Sequence, residues 1–128
     1  MEKFLFVGLG GAIGAVLRYL LSGFVYKHSA TLFPMGTLWV NALGCFGAGF
    51  LWEIFEQGVF SLEVRVFVFA GVLGGFTTFS AFSLENFNLI RDGQTGLAIA
   101  NILISNAICL GFVYCGFAAA RYLMPLVK

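Results

Sequence analysis

Charge is scarce in this 128-residue chain. Seven Lys and Arg and six Asp and Glu make up 10% of it, whereas 60% of its residues are apolar. Soluble domains carry about 25% charged and about 45–50% apolar residues, so these few charges cannot cover a water-facing surface. The formal net charge of +1 leaves no bulk field to recruit nucleic acid or acidic partners. The lone histidine, His28, stands beside Lys27 in a loop, which excludes a histidine metal site. The three cysteines, Cys45, Cys109 and Cys115, are odd in number, lie in apolar runs and have no pair at metal-ligand spacing, so they read as small hydrophobes. Low-complexity tracts and internal repeats are missing as well. Soluble enzymes, disordered tails and nucleic-acid binders are thereby excluded, and an integral membrane protein is left.

What is present is organised in apolar runs. A membrane-spanning helix takes roughly 20 residues, so four of them take about 80 and leave only short loops. The runs cover about 4–26, 37–55, 66–90 and 97–120. Lys27, His28 and Ser29 end the first, with Pro34 and Gly36 marking the turn that follows. Glu56, Gln57 and Gly58 end the second, and Arg91, Asp92 and Gly93 the third. Arg121 follows the fourth, with Pro125 closing the chain. The expected fold is an all-α integral membrane domain of four transmembrane helices over residues 1–128, with both termini on one side. The first run has no small-residue cleavage site and three more spans follow, so it reads as a span rather than a signal peptide. Lys3, Arg65, Arg121 and Lys128 lie on the terminal side. Lys27 and Arg91 lie on the other, joined by Arg18 if that side chain snorkels there. Such a weak positive-inside bias suits insertion in both orientations and a weakly biased single orientation alike.

Each span carries polar or small residues that lipid does not ask for. The first reads GLGGAIGAVLRY from Gly8. Its glycines miss the dinucleotide fingerprint by one position and no strand–turn–helix surrounds them, whereas Gly10 and Gly14, flanked by Gly11 and Ala15, form a helix-packing face. Arg18, inside the apolar run, must face protein, water or the interface. In the second span Asn41, Gly44 and Ala48 share one face at i, i+3, i+7, suited to an approaching helix or a narrow polar path.

The third span, GVLGGFTTFSAFSLENF from Gly71 to Phe87, is the least lipid-like. Gly74-Gly75 lowers helix propensity in mid-span and β-branched Thr77-Thr78 follows. A break near Gly74 would free backbone carbonyls suited to a hard cation. Phe79 with Phe82, and Ser80 with Ser83, pair at i, i+3. Ring edges are positive and hydroxyls donate hydrogen bonds, so such a lining attracts a small anion without a fixed charge. An aromatic packing stripe is the other reading. Glu85, Asn86 and Asn88 continue the polar stretch, and Asn101, Ser105 and Cys109 form a track at i, i+4, i+8 in the fourth span. There Gly111 and Cys115, then Gly116 and Ala120, repeat small-residue spacing.

GGAIGAVLRY, GTLWVNALG and GGFTTFSAFS, in this order and in these spans, resemble the Fluc/CrcB fluoride channels of bacteria. The third motif is the most specific, and the four-span plan covers the whole chain. The resemblance implies a dual-topology, antiparallel homodimer in the bacterial inner (cytoplasmic) membrane with two fluoride pores. It also implies a structural, non-transported sodium ion held by backbone carbonyls of the broken third helix, here Gly74 and Thr77. The family's pore phenylalanines match Phe79 and Phe82 and its pore asparagine Asn41, with Ser80 and Ser83 beside them. Arg18, Glu85 and the track of Asn101, Ser105 and Cys109 take supporting places. Cys109 and Val113 are less polar than the family's track. The expected function is passive export of cytoplasmic fluoride, which reduces its toxicity, without enzymatic chemistry or nucleic acid. A small proton-coupled multidrug exporter of dual topology is the alternative. Such an exporter needs a membrane-embedded acid, and Glu85 is the carboxylate that the third span offers. A non-transporting scaffold would leave the threonine–serine–phenylalanine stretch idle.

Overall fold

The computed structural model describes residues 2–56, 58 and 60–127; Gln57 and Lys128, used above as a loop marker and a terminal charge, lie outside the described residues. The described chain is predominantly helical. Helix α1 spans Glu2–His28 and α2 Met35–Glu56. The third span is composite: α3 (Leu62–Val66), a π-helical segment (Phe67–Leu73), one further turn α4 (Gly74–Phe76), an extended break at Thr77-Thr78, and α5 (Phe79–Arg91). Helix α6 runs Thr95–Val127. Four stretches, Glu2–His28, Met35–Glu56, Leu62–Arg91 and Thr95–Met124, are long and apolar enough to cross a membrane.

Glycine sets the helix spacing. Gly10 and Gly14 are buried, and α1 lies on the π-helical segment and α4. A Cβ at Gly10 would sit 2.6 Å from the Phe67 carbonyl oxygen, and one at Gly14 2.7 Å from the Phe76 nitrogen. Only a hydrogen fits between these backbones. Helices α2 and α6 form the other tight pair. Gly49 faces the Val113 carbonyl carbon and Gly116 that of Phe46, each at 2.9 Å from a hypothetical Cβ. Gly116 and Ala120 are buried as the small-residue spacing predicts, whereas Gly111 and Cys115 face outward. Lipid tails provide little hydrophobic drive between helices, so this close van der Waals contact carries the association.

The break does not fall at Gly74. That residue keeps helical angles (φ −63, ψ −37), and the chain extends only at Thr77 (φ −77, ψ 155) and Thr78 (φ −147, ψ 113). The glycine pair serves approach instead: a Cβ at Gly75 would lie 2.5 Å from the Gly11 carbonyl oxygen. The β-branched threonines take the extended backbone, which suits their crowded χ1. Nor does Arg121 end the last helix. Its guanidinium sits 5.8 Å above the Phe117 ring, so the charge folds back along its own helix, which continues through Pro125.

Candidate functional site

The site grows from the break. In an uninterrupted helix the Thr78 N–H would bond the Gly74 carbonyl. Here it donates to Asn41 Oδ1 at 2.7 Å, while Asn41 Nδ2 donates to the Thr78 carbonyl at 3.0 Å. One side-chain amide thus stands in for a backbone partner on both sides of the extended residue. The Ala81 N–H, which would otherwise bond the Thr77 carbonyl, donates to Thr78 Oγ1 at 3.1 Å as an N-cap of α5. The Gly74 and Thr77 carbonyls therefore lose their regular helical donors, and Gly74 faces outward. Thr77 turns its hydroxyl back to the Leu73 carbonyl at 2.9 Å, and its methyl group packs at Gly44. Asn41 and Gly44 serve one purpose, bringing α2 onto the break.

Beside this junction lies a cavity of about 260 Å³ lined by Asn41, Cys45, Thr77, Thr78, Phe79, Phe82, Ser105, Asn106 and Cys109. It contains no charged side chain. Asn41, Phe79, Phe82, Ser105 and Cys109 meet there. The Phe79 and Phe82 ring centroids are 5.4 Å apart and tilted by 39°, with Phe79 78% exposed and Phe82 9%. Ser80 and Ser83 line neither this cavity nor the next. The phase of α5 turns Phe82 and Asn86 inward and leaves both serines on the outer face, where Ser80 Oγ lies 3.2 Å from Thr78 Oγ1.

Asn101 is likewise outside the cavity. It is 1% exposed and joins a buried chain across α5 and α6. Ser105 Oγ donates to Asn101 Oδ1, Asn101 Nδ2 to Asn86 Oδ1, and Asn86 Nδ2 to the Phe82 carbonyl, at 2.9, 3.1 and 2.8 Å. This chain locks the helix that carries the two phenylalanines.

A second cavity brings Arg18 and Glu85 together with Tyr19, Ser22, Tyr26, Thr37 and Thr78. Glu85 Oε1 accepts from Tyr26 Oη at 2.8 Å and from Thr37 Oγ1 at 2.5 Å, while its buried Oε2 has no hydrogen-bond partner. The carboxylate is thus tied into the bundle by two hydroxyls rather than lying free at the interface. Thr78 lines both cavities, so the break forms the wall between them.

Sequence reasoning missed Thr37, Tyr26, Cys45 and Asn106 as site residues, and read Thr78 only as one of the hydroxyls of the third span. Asn106 and Thr37 carried a visible signal, being polar residues within apolar runs. Tyr26 and Cys45 carried none, because their roles depend on partners far away in sequence. No group of three His, Cys, Asp or Glu side chains that could hold a metal occurs among the described residues. The freed Gly74 and Thr77 carbonyls fit a hard, oxygen-seeking ion.

Four apolar helices around an uncharged cavity that carries a few polar side chains, one helix broken beside it, define a multi-pass membrane protein. The family model described as CrcB-like protein, Camphor Resistance (CrcB), matches residues 5–117, and the chain belongs to this family. It is 46% identical to a fluoride-specific ion channel of Desulforapulum autotrophicum over 121 residues, 94% of this chain and 97% of that one. Over all 128 residues, the full length of both chains, it is 39% identical to a fluoride-specific ion channel of Parabacteroides distasonis. A third relative, the fluoride-specific ion channel of Geotalea daltonii, is 44% identical and covered over its whole length.

Proposed function

We propose that the chain is a fluoride-selective channel of the bacterial inner membrane that lets cytoplasmic fluoride flow out passively and so reduces its toxicity. The observation that carries this reading is the uncharged cavity at the helix break, where two phenylalanine rings meet the Asn41, Thr78, Ser105 and Asn106 side chains. Ring edges and polar donors recognise a small anion by hydrogen bonds and quadrupole. Such contacts are weak enough individually for the ion to leave again. The names of the relatives support the same substrate.

The working unit in this reading is an antiparallel homodimer. Gly74, Ser80, Ser83 and Asn106 turn polar groups outward within the spans, and polar backbone at membrane depth is tolerated only when covered by protein or water. A second copy related by a two-fold axis covers them and completes the phenylalanine-lined path. The same axis brings Gly74 and Thr77 carbonyls from both copies together, where they would hold a structural sodium ion. That ion supplies positive charge that favours the passing anion. The chain's own part is to keep the carbonyls free, which Asn41 and the Thr78 cap do.

Purified protein in liposomes loaded with fluoride or chloride tests the reading. Fluoride efflux far above chloride efflux is expected, and it should fall when sodium is replaced by a large organic cation. Equal fluxes of the two anions, or no flux, would overturn the channel assignment. The exporter alternative has Glu85 as its candidate acid, and Tyr26 and Thr37 already hold the Oε1 of that carboxylate within the bundle.

A further inference from the structure

The two cysteines that look unrelated in sequence meet in the cavity wall. Successive spans alternate in direction, so α2 and α6 run parallel. Gly49 meets Val113 at backbone contact. Cys45 lies one turn before Gly49 and Cys109 one turn before Val113, so the thiols come to the same level on facing helices. Both are half-buried, and both line the phenylalanine cavity. Cys115 is exposed on the outer face of α6 and belongs to neither cavity.

We propose that Cys45 and Cys109 form a dithiol site for a soft, two-coordinate cation such as Hg²⁺, Ag⁺ or Cu⁺, and that filling it closes the route past Phe79 and Phe82. Thiolate sulfur selects soft metals over the hard cations that carbonyls hold. Two adjacent thiols bind one ion with far greater persistence than either alone, because the second bond forms within a single molecule. The chemistry balances without redox: each thiol releases a proton to water, two sulfur–metal bonds form, and no electron moves. Rotation about χ1 spreads the two sulfurs into the cavity to admit the ion. The bis-thiolate ion narrows the lumen: with Hg²⁺ the site stays neutral and blocks by bulk, and with Ag⁺ or Cu⁺ it carries one negative charge that also repels a small anion. The blocking half of this proposal rests on the channel reading; the binding half does not.

The test uses full-length protein carrying Cys115→Ser, titrated with Hg²⁺ and followed by thiolate-to-mercury ultraviolet absorption and by fluoride efflux from liposomes. The absorption should saturate at one ion per chain, with efflux lost over the same range and restored by a dithiol chelator. Hg²⁺ should also protect both cysteines from maleimide, mapped by mass spectrometry, a readout on the unaltered cavity. Further Cys45→Ser or Cys109→Ser substitution should abolish the tight binding and the block together. Saturation at two ions per chain, block that persists in either serine variant, or binding without loss of efflux each overturns the proposal. Absent fluoride efflux before any metal is added would instead sink the channel reading and leave the titration interpretable.

Discussion

Asn41 is the side chain on which the geometry makes its sharpest demand. Its amide both donates to and accepts from Thr78, at 3.0 and 2.7 Å. Asn41→Leu removes both bonds and orphans a backbone N–H and C=O. Each unsatisfied buried group costs about 1–3 kcal/mol, an upper range of about 2–6 kcal/mol for the pair. Interhelical hydrogen bonds in membranes average only about 0.6 kcal/mol, because separated helices find other partners. Here they can: once α2 withdraws, the Thr78 N–H can return to the Gly74 carbonyl and the break can heal into regular helix. The lower end therefore decides, and Asn41→Leu should cost about 1–2 kcal/mol of stability. Its larger effect is loss of conduction as the carbonyls are recaptured.

Asn41→Asp separates the two roles. The carboxylate still accepts from the Thr78 N–H, so the break persists, but it faces the Thr78 carbonyl without a donor and puts a negative charge in an anion cavity. At an effective dielectric near 20, two like charges about 4 Å apart repel by about 4 kcal/mol. At about 1.36 kcal/mol per tenfold, that is on the order of a thousandfold loss of anion occupancy. Fluoride-electrode recordings of efflux from liposomes, paired with thermal unfolding in detergent, read both quantities. Asn41→Asp at wild-type efflux would refute the placement of Asn41 at the anion path. Asn41→Leu with unchanged stability and efflux would refute its role in holding the break open.

Three further outcomes follow from the same contacts. Phe79→Ile should sharply reduce fluoride efflux while leaving thermal stability nearly unchanged, because the ring is 78% exposed in the single chain; wild-type efflux would remove Phe79 from the path. Gly14→Ala should lower stability and the yield of monodisperse protein, since its Cβ would press on the Val72 and Phe76 backbone, whereas Gly8→Ala, with nothing within 4 Å, should behave as wild type. Equal yields and melting temperatures for the two would contradict the glycine-set spacing of α1 against the third span. Thr37→Val deletes one of the two donors to Glu85 Oε1 and should cost about 1 kcal/mol in thermal unfolding, with no change counting against the Tyr26–Thr37–Glu85 anchor.

The glycine faces were legible because their signal is local: spacing of three or four along one helix shows what that helix can pack with, and Gly10, Gly14 and Gly116 are buried accordingly. The break was half legible. Gly74-Gly75 and Thr77-Thr78 mark a weak point, but which pair yields depends on what receives the released backbone groups. Asn41 stands opposite Thr78, and Gly75 is committed to Gly11, so the threonines extend and the glycines stay helical. The direction in which the serines face was not legible for a related reason. Their i, i+3 spacing is real, but only the docking of α5 on α6 through Asn86 and Asn101 sets which way that face points.

The amino-acid order alone therefore determined the solvent, the number of spans and the places where helices can touch. Hydropathy, length and small-residue spacing act within one segment and need no partner. Tertiary structure decided where the third helix opens, which carbonyls it frees, which hydroxyls hold Glu85, and that Cys45 meets Cys109. Each of these rests on groups far apart in the chain, brought to one depth by the register of packed helices, and no periodicity within a single span encodes that register.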